Sequence, residues 1–343
     1  MDNILDFTNK KNHAILENAN DLCELLNFIR VKDISYIHIL NNKSMVSYFF
    51  LHFVKYNNII YHMDYFGQQI NNCKKDIQYI NNHIQNVNYK QINIKKGIIL
   101  YNITKSAGHE LCSILCGIYH LYTLNLLDDY TVVVSDAILL LGQCIKSIIL
   151  LFFKESNVIF VDDKTIINIE ESIIYTPPHN KIQQHNDMLL EKLNQYKNLN
   201  IKYENVCLIK SVIDGEYMNA RLKIFESSYL ELFKKNNYEI ISANNHDIIT
   251  LFNIINNCTN IILSWGCNSW INSIFVNKKT NVMILCHIYY KNEWSNHNFT
   301  YSKDVLTLWT PICNKLIMEL DLPSELNNDI TIQIQNSLND LIS

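Results

Sequence analysis

The sequence predicts an α/β protein made of two Rossmann-like domains with parallel sheets. From residue 206 onward, short apolar runs of the β type alternate with helical apolar periods. The chain has 343 residues, which exceeds the commonest size of a single hydrophobic core. A similar but less regular alternation occupies the first half. We therefore expect one domain at 1–180, a connector at 181–204 and a second domain at 205–343.

The second domain has the clearer pattern. Its predicted strands are 206–211, 238–242, 261–264 and 282–286. The helical periods between them cover 221–233, 247–258 and the residues from about 269 onward. Strand–helix–strand units close with a right-handed connection, so these elements predict a parallel sheet with helices on both faces.

The first domain contains five predicted strands and at least two helices. The strands are 34–40, 97–101, 131–135, 158–161 and 172–175. Helical patterns cover 110–124 and 137–153. The second of these is apolar, but it is shorter than the ~20 residues that span a bilayer and contains Lys146, which favours a buried helix. Pro177 and Pro178 end the domain, and a polar helical pattern follows at 181–199.

Composition restricts the partners and the compartment. The net charge of -4 provides no basic field for a nucleic acid. The ten cysteines are scattered through apolar runs, and the acidic N-terminus does not resemble a signal peptide. We therefore expect a cytoplasmic protein with reduced cysteines and no transmembrane segment. The abundance of Asn, Ile, Lys and Tyr is typical of an A+T-rich genome, such as that of a large DNA virus or a protist, and a viral protein would reside in the host cytoplasm.

Several catalytic motifs are absent from the sequence. None of the seven glycines stands in a G-x-G or G-K-[ST] context, which excludes a Walker loop and the usual dinucleotide fingerprint. His109-Glu110 begins like a zincin helix, but Ser113 stands where the second histidine is needed. The chain also lacks the Asp-x-Asp pair with which metal-dependent sugar transferases hold a divalent ion. No metal site is expected.

A polar turn interrupts the apolar run near residue 264. It consists of Trp265, Gly266, Cys267, Asn268 and Ser269. Ligands of parallel sheets bind beyond the carboxyl ends of strands, where the next helix offers free N–H groups to an anion. Gly266 permits close approach of the backbone, while Asn268, Ser269 and Asn272 can donate to phosphate, ribose or base. The alternative is that Asn268 or Ser269 only caps the helix.

Two further polar stretches permit a functional and a structural interpretation. Lys210 and Ser211 end a predicted strand, where a lysine can neutralise a diphosphate or can simply be exposed. His109 and Glu110 follow a polar loop and open an apolar helix. They can serve as an acceptor-site base and its orienting partner, or Glu110 can cap the first turn beside an exposed histidine.

In their order along the chain, these segments resemble glycosyltransferase family 61. The family has a histidine at a helix start in its first half, then a strand followed by proline, similar to Ile173-Ile174-Tyr175-Thr176-Pro177-Pro178. A strand ending in Arg-Ser follows, matched by Lys210-Ser211, and then an Asn-containing helix. The family's short E-Q-x-x-L-F helix is similar to 247–252, and its G-x-H-G-A-x-L-x-N-x-x-F turn is similar to 264–275. The resemblance covers roughly residues 100–290.

The resemblance implies a GT-B fold, in which two Rossmann-like domains face each other across a cleft. It implies inverting, metal-independent transfer of a sugar from a nucleotide-sugar donor, of UDP type, to a glycan or protein-linked acceptor. No separate cofactor is implied. The first domain would bind the acceptor, with His109 or Glu110 as catalytic residue. The second would bind the nucleotide through the turn Trp265 to Ser269 and through Lys210, Ser211, Asn219, Asp247 and Asn272.

The chain departs from the family pattern at several of these positions. Trp265 replaces the turn histidine, Lys210 replaces the arginine and Ile248 replaces the glutamine, while Asn272 fits with an offset of one residue. A catalytically inactive relative that binds nucleotide or glycan is therefore an alternative function. A different Rossmann-type enzyme, such as an epimerase with a nicotinamide cofactor, is a second alternative, which the missing glycine fingerprint disfavours.

Overall fold

The computed structural model describes residues 5–6, 28–40, 50–56, 59–63, 70–71, 89–100, 107–136, 143–162, 164–175, 182–209, 227–265, 272, 274–288, 313–323 and 325–343. For some of these residues, including His109 and Glu110, the description extends to the backbone and not to the side chain.

The chain folds into two compact units. Unit 1 comprises Met1–Leu141 and Ile145–Leu189, and unit 2 comprises Gly142–Cys144 and Leu190–Ser343. The main boundary lies inside a helix, Ile182–Asn194, which occupies part of the expected connector at 181–204. Met188, Leu189 and Leu193 on this helix are buried, so the segment is packed against the fold.

The described part of unit 1 contains nine strands and two complete or nearly complete helices. The strands are β1 (Leu5–Asp6), β2 (Phe28–Leu40), β3 (Phe50–Tyr56), β4 (Ile59–Met63), β5 (Ile70–Asn71), β6 (Lys90–Leu100), β7 (Thr131–Ser135), β8 (Val158–Val161) and β9 (Thr165–Tyr175). The helices are α1 (Ala107–Thr123) and α2 (Gln143–Phe152), with a 3-10 turn at Glu155–Asn157. The boundary helix Ile182–Asn194 is α3.

The nine strands form one mixed sheet. Its order is β5-β4-β3-β2-β9-β6-β7-β8, with β1 beside β2. The predicted parallel arrangement is confirmed for β9, β6, β7 and β8. The strands from β5 to β2, and β2 with β9, pair antiparallel and depart from the prediction. Only two residues separate β3 from β4, too few for a crossover, so this pair has to be antiparallel.

Strands β6 and β7 contribute buried apolar residues to the core of unit 1. Ile98, Ile99 and Leu100 at the end of β6 are fully buried, as are Val132, Val133 and Val134 in β7. Continuous apolar runs of this kind are typical of parallel strands that are covered on both faces. Gly97 allows close packing here, because a Cβ atom at this position would lie 3.1 Å from Ile169 Cδ1.

The described part of unit 2 contains five strands and three helices besides the end of α3. The strands are β10 (Tyr203–Ile209), β11 (Glu239–Ser242), β12 (Cys258–Ser264), β13 (Asn281–His287) and β14 (Lys315–Leu322). The helices are α4 (Ser227–Lys235), α5 (Ile248–Asn256) and α6 (Asn328–Ile342), with a 3-10 turn at Ala243–Asn245.

The second sheet is fully parallel, and its order is β11-β10-β12-β13-β14. Numbered along the chain, the five strands have the spatial order 2-1-3-4-5, which is that of flavodoxin-like doubly wound sheets. The direction of winding therefore reverses between β10 and β12. The Rossmann-like α/β character expected for this half is confirmed.

Helices cover both faces of the second sheet. Tyr229 and Phe233 of α4 share one apolar cluster with Leu338 of α6 and with Met283 and Leu285 of β13. On the other face, the ring of Phe252 in α5 contacts that of Phe275, with centroids 6.0 Å apart. Helices α4 and α6 thus pack on one face of the sheet, as right-handed connections require for this strand order.

The four strands predicted in this half are all present, with ends that differ by a few residues. The start of the helical period at 221–226 and the helix expected from 269 lie wholly or largely outside the described residues. Strand β14 and helix α6 were not predicted, although Asn327 caps α6 by accepting a hydrogen bond from the Ile330 backbone N–H.

Among the residues that the structure describes, no helix is long and apolar enough to cross a membrane.

Candidate functional site: the carboxyl edge of the second sheet

Two of the sequence-predicted binding segments follow strands that are direct neighbours. Lys210 and Ser211 follow β10, and the turn that begins at Trp265 follows β12. In the parallel register, Leu208 pairs with Leu263, one residue before each of the two strands ends. The two strands therefore end side by side. They do so at the point where the winding direction reverses, and ligands of open α/β sheets bind at this point.

Most of the residues in these segments lie outside the described part of the chain. These are Lys210, Ser211, Asn219, Gly266, Cys267, Asn268 and Ser269. Their assignment to nucleotide binding remains a prediction. The described strand ends establish where the two segments begin.

Trp265 is the first residue beyond β12, and its side chain is 6% exposed. Its backbone N–H donates a hydrogen bond of 2.9 Å to the carbonyl oxygen of Leu285 in β13. The backbone thus continues the sheet for one more residue, and the indole is packed in the protein interior. Burial of the indole favours a packing role for the residue that stands where the resembled family has a histidine.

Asn272 is helical and only 1% exposed. Its carbonyl oxygen accepts a hydrogen bond of 3.1 Å from the backbone N–H of Phe275. Phe275 is fully buried against Phe252, so this segment is held on the face that α5 covers. A direct contact of Asn272 with a nucleotide remains a prediction.

Asp247 caps helix α5. Its carboxylate accepts hydrogen bonds from the Thr250 backbone N–H at 2.9 Å and from the Thr250 hydroxyl at 2.8 Å. Burial acts to raise the pKa of Asp247, but the hydrogen bonds from Thr250 and from the backbone of Ile249 outweigh it, so the pKa lies below its ordinary value of 3.8. Both oxygens are engaged within the helix turn, which accounts for the residue without a ligand.

The two predicted catalytic residues belong to unit 1. His109 and Glu110 lie in the first turn of α1, as the sequence predicted, and their side chains lie outside the described part of the structure. The body of the same helix is packed in the core, since Leu111, Ile114 and Ile118 are buried. The catalytic assignment remains a prediction that rests on the sequence.

The structure adds a residue that the sequence analysis did not select. Strand β13 ends at His287, next to β12 and on the same carboxyl edge, and the His287 side chain is 5% exposed. The predicted strand stopped one residue earlier, at 286, so the histidine was assigned to no element. Its position after an unbroken apolar run was the available signal.

Metal-ligating side chains do not cluster in the part of the chain that the structure describes. There, no group of three or more His, Cys, Asp or Glu side chains is arranged so that it could hold a metal ion.

The sequence was also compared with known proteins. It matches no protein-family model, and none of the curated proteins matches it significantly.

Proposed function

We propose that this chain is a glycosyltransferase that moves a sugar from a UDP-type nucleotide sugar to a glycan or protein-linked acceptor. The transfer would invert the anomeric configuration and would not require a metal ion. In this proposal, unit 2 binds the nucleotide and unit 1 binds the acceptor, as in the GT-B fold.

One observation carries the nucleotide-binding part of the proposal. The two segments that the sequence singled out, after β10 and after β12, leave adjacent strands where the winding of the sheet reverses. The two strands lie far apart in sequence, so their pairing is an observation independent of the sequence motifs. A strand order of 2-1-3-4-5 directs ligands to this position.

The proposed division of roles follows from the chemistry of the segments. Lys210 and the N–H groups beyond Trp265 would hold the diphosphate and stabilise the charge that develops on it as the sugar departs. His109 or Glu110 would take the proton from the acceptor hydroxyl. Uridine binding would use the amide and hydroxyl donors of Asn268, Ser269 and Asn272.

The first experiment is thermal unfolding of the purified protein with UDP, GDP, CMP or NAD. Each ligand is tested with EDTA and, separately, with Mn²⁺. A ligand at 100 times its dissociation constant adds about 2.7 kcal/mol of stability if it binds only the folded state. We expect stabilisation by UDP in EDTA. A response to NAD alone would favour a nicotinamide enzyme, and no response to any nucleotide would contradict the proposal.

Variants test the division of roles. Lys210→Ala should weaken UDP binding by about 10-fold or more, because a hydrogen bond to a charged group is lost. The matched control is Lys202→Ala, since Lys202 is exposed and directly precedes β10 at its other end. His109→Ala should retain UDP affinity and lose transfer by roughly 10²-fold or more. Equal loss of UDP affinity in Lys210→Ala and His109→Ala would refute the division.

A second candidate function is a nucleotide- or glycan-binding protein without catalytic activity. The burial of Trp265 favours it, because the histidine of the resembled family is replaced by an indole packed in the interior. Release of UDP from a UDP-sugar, with and without acceptor sugars, separates the two candidates. Binding without any turnover across a panel of donors would support the inactive protein.

A further inference from the structure

A loop of unit 2 exposes three large apolar side chains. The loop consists of residues 195–202 and connects α3 to β10. Within it, Tyr196 is 45% exposed, Leu199 is 69% exposed and Ile201 is 38% exposed. Single exposed apolar residues are common on protein surfaces, but three within one short loop form a patch. Such patches are typical of surfaces that contact another molecule.

Hydrogen bonds to helix α5 hold this loop. The buried amide of Asn253 in α5 accepts a hydrogen bond of 2.7 Å from the Asn198 backbone N–H and donates one of 3.2 Å to the carbonyl oxygen of Tyr196. Asn257, directly after α5, donates a hydrogen bond of 2.8 Å to the carbonyl oxygen of Asn198. The apolar side chains therefore cannot turn inward with their backbone unless these bonds break.

Exposed lysines lie at the same end of the second sheet as the loop. This end is the amino edge, formed by the starts of the strands, and the lysines stand in the segments that precede β10, β11 and β13. They are Lys197, Lys202, Lys234, Lys235, Lys278 and Lys279. The exposed acidic residues at the starts of these strands are Glu204 and Glu239. Positive charge is in excess here, although the whole chain has a net charge of -4.

The lysine pair 278–279 is connected to the loop by hydrogen bonds. Asn277, directly before the pair, donates a hydrogen bond from its side chain to the carbonyl oxygen of Asn256. The next residue, Asn257, donates to the loop at Asn198. The apolar loop and this pair of lysines are therefore neighbours at the amino edge.

This combination of side chains fits an anionic lipid surface. Tyrosine, leucine and isoleucine enter the boundary between headgroups and acyl chains, while lysines reach the lipid phosphates with their flexible stems. A nucleic acid would also attract the lysines, but leucine and isoleucine offer it neither a hydrogen bond nor a ring for stacking. A second copy of this chain would bring like charges together in a symmetric interface.

We propose that the loop 195–202 attaches unit 2 to an anionic membrane surface. Tyr196, Leu199 and Ile201 enter the headgroup region, and the surrounding lysines bind lipid phosphates. The inference does not rest on the proposed function, because the amino edge lies at the other end of the strands from the proposed nucleotide site. Attachment of this kind needs no membrane-spanning segment.

Sedimentation with lipid vesicles tests the proposal on the full chain. Vesicles of phosphatidylcholine alone are compared with vesicles that also contain about 30 mol% phosphatidylserine, at about 0.1 M salt. We expect the wild type to bind the anionic vesicles about 10-fold or more tightly than the neutral ones, and less tightly as salt is added. Failure of the wild type to bind the anionic vesicles would overturn the inference.

Variants of the loop test both parts of the surface. Leu199→Ser should weaken binding to the anionic vesicles about 10-fold, because an inserted apolar side chain is lost. The double variant Lys197→Gln/Lys202→Gln should weaken it about 10-fold or more, since two attractions to lipid phosphates are lost.

The matched control for the apolar variant is Ile332→Ser. Ile332 is 60% exposed and lies near the start of α6, which follows the carboxyl end of β14. Its replacement should leave vesicle binding within about twofold of the wild type. Unchanged binding of Leu199→Ser, or equal losses in Leu199→Ser and Ile332→Ser, would refute the role of the loop.

A mixed-sequence oligonucleotide, titrated at the same salt concentration and followed by fluorescence anisotropy, is the competing ligand. Binding of the oligonucleotide that is weakened in Lys197→Gln/Lys202→Gln, without binding to vesicles, would overturn the membrane proposal in favour of a nucleic acid.

A second measurement detects insertion directly. Leu199→Trp and Ile332→Trp each add an indole at an exposed position, where the larger side chain does not disturb the core. Tryptophan fluorescence is recorded with anionic vesicles whose acyl chains are brominated near the headgroup. We expect more quenching than in the wild type for Leu199→Trp and not for Ile332→Trp. Equal quenching in the two variants would count against insertion of the loop.

Discussion

The side-chain amide of Asn281 donates a hydrogen bond of 2.8 Å to the amide oxygen of Asn260, from β13 to the neighbouring strand β12. The row extends in both directions, since Asn260 donates to Asn205 at 2.7 Å and Asn314 donates to Asn281 at 2.7 Å. Asn281 also donates to the carbonyl oxygen of Leu341 in α6 at 2.9 Å. These amides link three strands, the residue before β14 and a helix at the amino edge of the second sheet.

Replacement of Asn281 by alanine should destabilise the protein by about 3 kcal/mol. The change removes three hydrogen bonds and leaves the amide oxygen of Asn260 and the carbonyl of Leu341 without their donor in a buried environment. Urea unfolding monitored by circular dichroism measures the effect.

The matched control is Asn314→Ala, at the exposed end of the same row, which removes one bond and should cost about 1 kcal/mol or less. Equal losses of unfolding free energy in the two variants would show that the burial of Asn281 does not increase the contribution of its hydrogen bonds.

Replacement of Asp247 by alanine should cost about 1 kcal/mol, because the Thr250 N–H at the start of α5 loses its side-chain acceptor. Asp247→Asn is the matched control, since asparagine caps helices about as well as aspartate. Thermal or urea unfolding at pH 7 gives both values. A loss in Asp247→Asn as large as that in Asp247→Ala would contradict the capping explanation.

The hydrogen bonds between Asp247 and Thr250 also predict how the stability of the protein depends on acidic pH. The folded pKa of Asp247 lies below 3.8, its ordinary value, so the carboxylate stabilises the fold at all pH values above about 4. This contribution is lost as the pH falls through the lowered folded pKa. The stability difference between wild type and Asp247→Ala should therefore shrink between pH 5 and about pH 2. A difference that stays constant over this range would count against the lowered pKa.

Tyr229 should make the protein sensitive to alkali. Its hydroxyl donates a hydrogen bond of 2.9 Å to the carbonyl oxygen of Pro323, and burial raises the pKa of Tyr229 from 10.0 to about 12. In the unfolded chain the phenol ionises near pH 10, whereas in the folded chain it stays neutral, so stability should fall as the pH rises from about 10 through 12. Tyr229→Phe should cost about 1 kcal/mol at pH 7 and should reduce the alkaline loss. Urea titrations at pH 7, 10 and 11 measure both effects, and an unchanged alkaline slope would refute the assignment.

The cysteines should differ in their reactivity toward iodoacetamide. Burial raises the pKa of Cys258 to about 12 and also raises the pKa of Cys207, and both thiols are inaccessible in the core. Cys313 is only partly buried and should be alkylated before Cys207 and Cys258. Peptide mapping by mass spectrometry at pH 8 follows the order of labelling, with the urea-unfolded protein as the control in which all three react alike. Labelling of Cys207 or Cys258 before Cys313 would contradict the packing of unit 2.

The sequence was informative wherever a strand is a continuous apolar run. The segments 131–135 and 158–161 were predicted with the bounds that β7 and β8 have in the structure, because both follow a simple local pattern. The hairpin of β3 and β4 was not recognised, since histidine, lysine and tyrosine interrupt its apolar pattern. Strand β14 was missed for a similar reason: charged Lys315, Glu319 and Asp321 occupy its length.

The candidate site was predicted in part. Sequence patterns indicated the segments after β10 and after β12 separately, and Asp247 was correctly placed at a helix start. They did not indicate that Asp247 engages both carboxylate oxygens in its own helix, although its partner Thr250 is only three residues away. They could not indicate that Trp265 is buried, because its burial depends on neighbours that are distant in sequence.

By itself, the sequence determined four of the five described strands of unit 2, with ends that differ by a few residues, because apolar periodicity is a property of residues close together in the chain. Only the tertiary structure decided that β10 and β12 are neighbours, that β13, which His287 ends, lies beside β12, and that the asparagines align in one row. Strand order and register minimise the free energy of the whole sheet with its covering helices, and no short segment contains that information.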